Sequence, residues 1–297
     1  HLCVVDEFPE RDTKPRVGEF ARTPGGQAAS AMVLCSRLGL RAKYVGKVGG
    51  DETGSFSLES IRREGVDVSD VAVVDGGTNQ LAMVIVDRST GERTILWHRP
   101  EEIATLPEEI TPEKVAAGRA LLVDGHDAPA AAQAARLARE RGIPVVMDAE
   151  SVKDGTRDVV ANSDVVIASR RFPEAFTGCD DLDDAFGILR SLGPRIVCVT
   201  LGPLGAVLMT DLGWVYSSGA YDVDVVDTTG AGDVFHGAFL YGLLAGWQVP
   251  RILDFSNAAA GLNCTELGAR GGARSLEDVE DLMRRQARSS CILAPSP

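Results

Sequence analysis

The sequence predicts an α/β fold on a parallel sheet with a small β-strand lid, on three observations. From residue 120 onward, short apolar runs alternate with helical segments. The apolar runs are uniform rather than alternating, which is the pattern of parallel strands covered on both faces. Residues 71–97 break that rhythm with two stretches of alternating apolar and polar residues, a β-rich insertion.

Taken in order, the chain opens on HLCVVDEFP, which reads as extended. No strand and glycine turn precede it, so a first strand is expected on the N-terminal side of the given residues. His1 reads as an exposed end. Residues 13–24 are polar and broken by prolines, as in an edge strand or flap. Gly25 and Gly26 form a turn, and residues 28–38 form a helix with Ala28, Ala31, Met32, Cys35 and Leu38 on one stripe. Small residues at that helix start let a ligand approach the backbone. The cluster at residues 87–92 divides the β-rich insertion into a hairpin or strand pair. Segments 8–24 and 71–98 are assigned to the lid, which would exclude water from the chemistry and offers an edge to a second copy. Arg93, His98 and Arg99 at its far end either reach a charged substrate group or lie solvated.

Beyond the lid come strand LLVDG, a helix over 129–141, strands IPVVMDAE and SDVVIAS, and a helix over 180–192. Ligands of such sheets sit beyond the C-terminal strand ends, where Asp124, Asp148 and Glu150 fall. These acids either hold magnesium through water, orient substrate hydroxyls, or cap helices. RIVCVTLGPLGAVLMT reads as strand, glycine turn, strand. DFSNAAAGLNCT puts small residues along a helix, giving a flat face that suits an adenine ring or close packing. Ser275 and Asp278 form a capping pair before a last helix, and residues 286–297 read as a fraying tail.

The chain is organised around residues 223–247, VDVVDTTGAGDVFHGAFLYGLLAGW, read as an apolar strand, a tight turn and a helix. Gly230, Ala231 and Gly232 carry almost no side chain, so their N–H groups can converge at the helix mouth, where the dipole favours an anion. Asp233 adds a carboxylate in the first turn. A carboxylate repels phosphate, so its placement fits a general base taking a proton from a hydroxyl that attacks a phosphoryl group. Helix capping by Asp227 and Asp233 is the alternative.

DTTGAGDVFHGAF resembles the C-terminal signature of the ribokinase-like, or PfkB, family of sugar and nucleoside kinases. Far upstream, GGQAASA and YVGKVGGDETG resemble its first signature, and the resemblance spans residues 15–285. It implies a doubly wound, mostly parallel ribokinase-like domain over residues 1–285 with the small β lid, often used in homodimers. The implied reaction moves the γ-phosphate of ATP to a primary hydroxyl of a fructose-, ribose- or sulfosugar-like monosaccharide, with Asp233 as base and the amides of Gly230, Ala231 and Gly232 as anion hole. It implies that Gly25, Gly26, Gln27, Ser30 and Asp233 contact the sugar, although Gln27 and Ser30 stand where asparagines or a lysine are frequent. The T-x-G-x-x-G turn makes Thr200, Gly202 and Gly205 ATP contacts, with Asn257 and Ala260 bordering the adenine. Magnesium is implied, but the usual N-x-x-E is Ser169-Arg170-Arg171-Phe172 here, leaving Glu174 for the acidic role. Asp227 and Thr229 match positions that hold a monovalent cation in some members, so potassium is an implied activator. An aspartate gripping substrate hydroxyls would fall just before His1.

The net charge of -13 argues against nucleic acid and anionic membranes as partners. Six dispersed cysteines without CxxC spacing suggest neither zinc site nor disulfide framework and fit a reducing cytoplasm. No apolar run approaches the roughly 18 residues of a membrane span. Competing readings are a nucleoside kinase of the same family, a non-catalytic sugar or nucleotide sensor, which has no use for Asp233, and a dinucleotide oxidoreductase, whose early G-x-G-x-x-G turn is not found.

Overall fold

In the computed structural model, which describes residues 1–286 and Cys291–Leu293, the chain folds as two units. The first comprises His1–Ala104, Asp222–Val234 and Ala259–Val279; the second comprises Thr105–Tyr221, Phe235–Ala258 and the residues from Glu280 on.

The first unit opens with β1 (Leu2–Val5), β2 (Glu19–Ala21), α1 (Gln27–Arg37), β3 (Lys43–Gly49), α2 (Glu52–Arg63), β4 (Asp67–Val74), β5 (Leu81–Asp87) and β6 (Arg93–His98). A four-stranded sheet runs β2-β1-β5-β6, with β1 parallel to β5 and the other pairs antiparallel. Period-two alternation gives it one buried face, on Leu2, Val4, Val84 and Val86. The opposite face stays apolar yet exposed at Phe20, Leu81, Met83 and Leu96. Residues 71–74, grouped with the hairpin on sequence, belong instead to β4, which pairs in parallel with β3 in a separate two-stranded sheet.

The second unit contains α3 (Pro112–Ala116), β7 (Leu121–Asp124), α4 (Ala128–Arg139), β8 (Val145–Ala149), α5 (Thr156–Ala161), β9 (Val165–Ser169), α6 (Phe172–Thr177), α7 (Leu182–Ser191), β10 (Ile196–Thr200), β11 (Ala206–Thr210), β12 (Val215–Ser218) and β13 (Cys291–Leu293). They form one seven-stranded sheet in the order β13-β12-β11-β10-β9-β8-β7, parallel from β7 to β10 and antiparallel beyond. Every residue of β8 is buried, which requires cover on both faces. On one face Val145, Met147, Val166 and Val199 pack with α4 to α7 through Leu137, Val160, Phe172 and Leu189. Each such side chain contributes roughly 1.5–3 kcal/mol by leaving water. On the other face His236 reaches the Ile167 carbonyl at 3.3 Å. It lies on α8 (Ala231–Leu244), which begins in the first unit and continues in the second. α9 (Val249–Asn263) and α10 (Leu276–Arg285) also bridge the division in sequence.

Two further expectations differ from the fold. Residues 223–227 form no strand. Val225 and Val226 are exposed, and the segment is held by the N–H groups of Val226 and Asp227, both donating to the Cys264 carbonyl at 2.8 and 3.2 Å. Its apolar pattern therefore does not mark a sheet position. Within the tail expected to fray, Cys291–Leu293 pair with β12 as β13, while the rest lies outside the described residues.

Candidate active site

In the first unit, Gly26 precedes α1 at φ 96°, a left-handed value that favours glycine, and its carbonyl accepts from Ser30 N–H at 2.8 Å. Gly25 and Gly26 are exposed, Gln27 is half-buried, and Ser30 is buried. The carbonyl of Gly25 accepts from Arg270 Nη2 at 2.7 Å, and Ser30 Oγ accepts from Arg270 Nε at 3.2 Å. A third bond runs from Arg270 Nη1 to Ser60 Oγ at 3.2 Å. Burial pushes the Arg270 pKa down to about 10, while the charges of Asp233 and Glu64 act against that fall. Arg270 thus joins the Gly25-Gly26 turn to the loop after α9, a link that sequence reading missed because the residue sits in a glycine-rich loop far along the chain.

The turn before α8 is fixed by a fully buried carboxylate. Asp227 accepts from Thr229 N–H and Gly268 N–H, each at 2.8 Å, one on each oxygen. Gly230 takes φ 76°, and a Cβ there would collide with the backbone of Ala269. Ala231 N–H makes a long 3.3 Å bond to the Thr228 carbonyl. A Cβ on Gly232 would meet nothing within 4 Å, so the helix mouth is open on that side. Asp233 follows, half-buried in the first turn of α8. Two buried oxygens lack a hydrogen-bond partner among the described residues, Thr229 Oγ1 and Asn263 Oδ1, and the two residues are joined by Asn263 Nδ2 donating to the Thr229 carbonyl at 3.1 Å. Unsatisfied buried oxygens suit a bound cation. Asn263 was not singled out from sequence, and Asp227 has both oxygens committed to amides. The β5–β6 turn meets the same loop: Thr228 N–H and Oγ1 both donate to the Gly91 carbonyl, and Arg93 Nη1 donates to Thr228 Oγ1 at 3.0 Å. Arg93 is thereby placed on the loop rather than free in solvent, whereas His98 is exposed.

In the second unit, Thr200 ends β10 and donates through Oγ1 to the Ala168 carbonyl at 3.3 Å. The turn into β11 is closed by Leu201 N–H to the Gly205 carbonyl at 2.7 Å and by Gly205 N–H to the Gly202 carbonyl at 2.9 Å. Gly202 and Gly205 have φ 61° and 87°, and a Cβ on Gly205 would collide with the Ser218 carbonyl. That carbonyl accepts from buried Asn257 Nδ2 at 2.9 Å. Thr200, Gly202, Gly205 and Asn257 are thus bound into one backbone-lined turn. Ala260, three residues along α9, is half-buried in the first unit.

The carboxylates at the strand ends diverge. Asp148 is buried 3.4 Å from His236 Nε2, Asp124 accepts from His126 N–H at 3.1 Å, and Glu150 is exposed. Among the described residues no three potential ligand side chains cluster around a metal position. Phe172, where an acid is usual, is fully buried in the core. Glu174 stands exposed in the first turn of α6, and its carboxylate enters no hydrogen bond or ion pair among the described residues. A lone carboxylate that leaves the remaining coordination to substrate phosphates and water fits magnesium.

The sequence profile of the pfkB family carbohydrate kinases matches residues 2–275. The chain is 32% identical over 270 residues to an ATP-dependent ribose-1-phosphate kinase of Halopiger xanaduensis, covering 90% of this chain and 88% of that protein. It is 29% identical to a 5-dehydro-2-deoxygluconokinase of Halalkalibacterium halodurans, over 90% and 87% of the two chains. A putative ribokinase from Agrobacterium tumefaciens superposes with a TM-score of 0.89 at 30% identity, covering 96% and 94%.

Proposed function

The chain belongs to the pfkB family of carbohydrate kinases, phosphotransferases with an alcohol acceptor, and from that premise we propose that it moves the γ-phosphate of ATP to a primary hydroxyl of a ribose- or ketose-like monosaccharide. The observation that carries this reading is Asp233 in the first turn of α8, directly after the bare backbone of residues 230–232. Asp233 takes the proton from the attacking hydroxyl. The amides of residues 230–233 stabilise charge on the phosphoryl group in flight, as an oxyanion hole does. Gly25, Gly26, Gln27 and Ser30 hold the sugar, while Thr200, Gly202, Gly205, Asn257 and Ala260 hold the nucleotide. Glu174 would take magnesium, which when bound supplies neutralisation of the β- and γ-phosphate charge. Thr229 Oγ1 and Asn263 Oδ1 would take potassium, which when bound supplies charge behind the anion hole; their orphaned state supports this assignment.

The four-stranded sheet is read as the lid, because its hairpin turn is clamped to Thr228, two residues before Gly230. Its exposed apolar face, through Phe20, Met83 and Leu96, supports a homodimer formed by two lids. No helix among the described residues is long and apolar enough to cross a membrane. The free cysteines among the described residues support residence in a reducing cytoplasm. A nucleoside acceptor remains the second reading.

The testing experiment is ADP release with ATP and magnesium over a panel of pentoses, ketoses, sugar phosphates and nucleosides, with the product phosphate located by phosphorus NMR. Transfer to a primary hydroxyl of a monosaccharide is expected. Turnover confined to nucleosides contradicts the sugar assignment.

A further inference from the structure

Thr228 stands between two structures of the first unit. Upstream of it the N–H groups of Val226 and Asp227 are tied to the Cys264 carbonyl, and downstream α8 begins with Val234 N–H bonded to the Gly230 carbonyl at 2.9 Å. Between those fixed points the Thr228 N–H and hydroxyl leave the loop and go to the carbonyl of Gly91, at 3.1 and 3.0 Å. That carbonyl is itself firmly set. Gly91 N–H donates to the Asp87 carbonyl at 2.8 Å and Asp87 N–H to the Glu92 carbonyl at 2.9 Å, which closes the β5–β6 turn on itself. A Cβ on Gly91 would strike Val225 Cγ1, so the turn lies flush against the loop.

The side-chain bonds have one polarity. A carbonyl only accepts and a guanidinium only donates, so the Thr228 hydroxyl proton points to Gly91 and its lone pairs take Arg93 Nη1 at 3.0 Å. A hydroxyl that accepts from a cation is the stronger donor for it. Arg93 is the first residue of β6, just past Gly91, so the turn and the guanidinium close a ring around one threonine. On its other side, the Thr228 carbonyl accepts from Ala231 N–H at 3.3 Å, beyond the usual range for such a bond. Ala231 N–H is one of the amides assigned to the anion hole. When it turns to a phosphoryl oxygen it gives up the Thr228 carbonyl, and the ring through Arg93 is then what keeps Thr228 in place.

We infer that Arg93 is a positioning residue: through Thr228 it holds the loop that carries the anion-hole amides, so that the β5–β6 turn and that loop move as one body. This rests on the reading of residues 230–232 as the anion hole and adds to it a residue from another element of the chain. Arg93 is exposed, where a single bond to a neutral hydroxyl contributes little to stability, so its effect on the hole is separable from its effect on folding.

The test uses Arg93→Met, Thr228→Val, the two combined, and Thr228→Ser, all in the whole chain. The hole acts on the phosphoryl group in flight more than on bound substrates. In coupled ADP release, kcat should therefore fall roughly 10-fold to 100-fold in each of the first two variants, with the KM for ATP and for sugar near wild type. The combined variant should be no slower than the slower single one, since both changes break the same ring. Thr228→Ser, which keeps the hydroxyl, should recover most of the rate, and urea midpoints should stay close to wild type throughout. Amide hydrogen exchange without ligand gives a readout apart from turnover. Peptides covering residues 226–234 should exchange roughly 3-fold to 10-fold faster in Arg93→Met and in Thr228→Val, the scale of one lost hydrogen bond. Additive losses, or a raised KM for sugar in Arg93→Met alone, overturn the inference in favour of direct contact between Arg93 and substrate. Unchanged exchange in both variants overturns it as well, as does wild-type kcat in either. A wild type that transfers phosphate to no acceptor counts against the proposed reaction, and the exchange result then decides the inference by itself.

Discussion

Two glycines at the helix mouth should respond to the same methyl group in opposite ways. Gly230 sits at φ 76°, where an alanine costs about 1–2 kcal/mol in backbone conformation alone. Its Cβ would also strike the carbonyl oxygen, Cα and carbonyl carbon of Ala269. Those are backbone atoms of a buried residue whose neighbour Gly268 is bonded to Asp227, so they cannot swing aside. Overpacking of that kind adds about 1–3 kcal/mol, so Gly230→Ala should lose about 2–5 kcal/mol in all. The displaced amides should also cost roughly 100-fold in kcat, as expected for a shift near 1 Å. Gly232 lies within α8, has no left-handed φ, and would place its Cβ in open space. Gly232→Ala should therefore gain about 0.5–1 kcal/mol from reduced chain entropy. Yet the added methyl would stand among the amides assigned to the phosphoryl group, so kcat should fall roughly 10-fold to 100-fold. Urea midpoints give the stabilities and coupled ADP release gives the rates. A Gly232→Ala enzyme with wild-type turnover, or a Gly230→Ala protein as stable as the wild type, refutes this picture of the turn.

Leu96→Glu combined with Met83→Glu puts charge on the exposed face of the four-stranded sheet and should convert a dimer to a monomer in sedimentation; an unchanged dimer places the interface elsewhere. Thr229→Val removes an orphaned hydroxyl, so potassium stimulation of ADP release should disappear while stability without potassium rises by up to about 1 kcal/mol. Retained stimulation would remove Thr229 from the cation site. Burial pushes the thiol pKa of Cys35 up to about 12 and that of Cys264 up to about 11, and raises Cys198 further. Their neutral form is favoured by folding, so this contribution is fully present below the ordinary thiol value and fades as pH rises from about 9 toward the folded values. At pH 8 iodoacetamide should label the partly exposed Cys3 and Cys179 in the native protein and spare these three until urea is added; rapid native labelling of Cys198 would contradict its burial.

The parallel strands were legible because uniform apolar runs such as VVMDA and VVIAS have only one stable setting, between two helical layers. The turn at Gly230 was legible because three residues with almost no side chain stand directly before a helical run, and the left-handed φ of Gly230 bears out the turn. Two kinds of feature were not. The VDVV run ahead of the turn has a strand's composition, but its backbone is claimed by Cys264, a partner that local pattern does not reveal. Arg270 and Asn263 matter through contacts made far along the chain, Arg270 with Gly25 and Asn263 with Thr229, and a lone polar residue in a loop or at a helix end carries no periodic signal of its partners. Phe172 was visible as a departure at an expected acid, and its full burial gives the reason: the position serves the core. Residues 71–74 were misgrouped because alternation signals a strand without naming its neighbour.

The most direct test of the account is the turnover of Asp233→Asn, an isosteric change that keeps the helix mouth intact while removing the proton acceptor. Coupled ADP release with the preferred sugar should fall by roughly 10²-fold to 10⁴-fold while nucleotide binding by titration stays near that of the wild type. Near-normal turnover in this variant would contradict the assignment of Asp233 as the base.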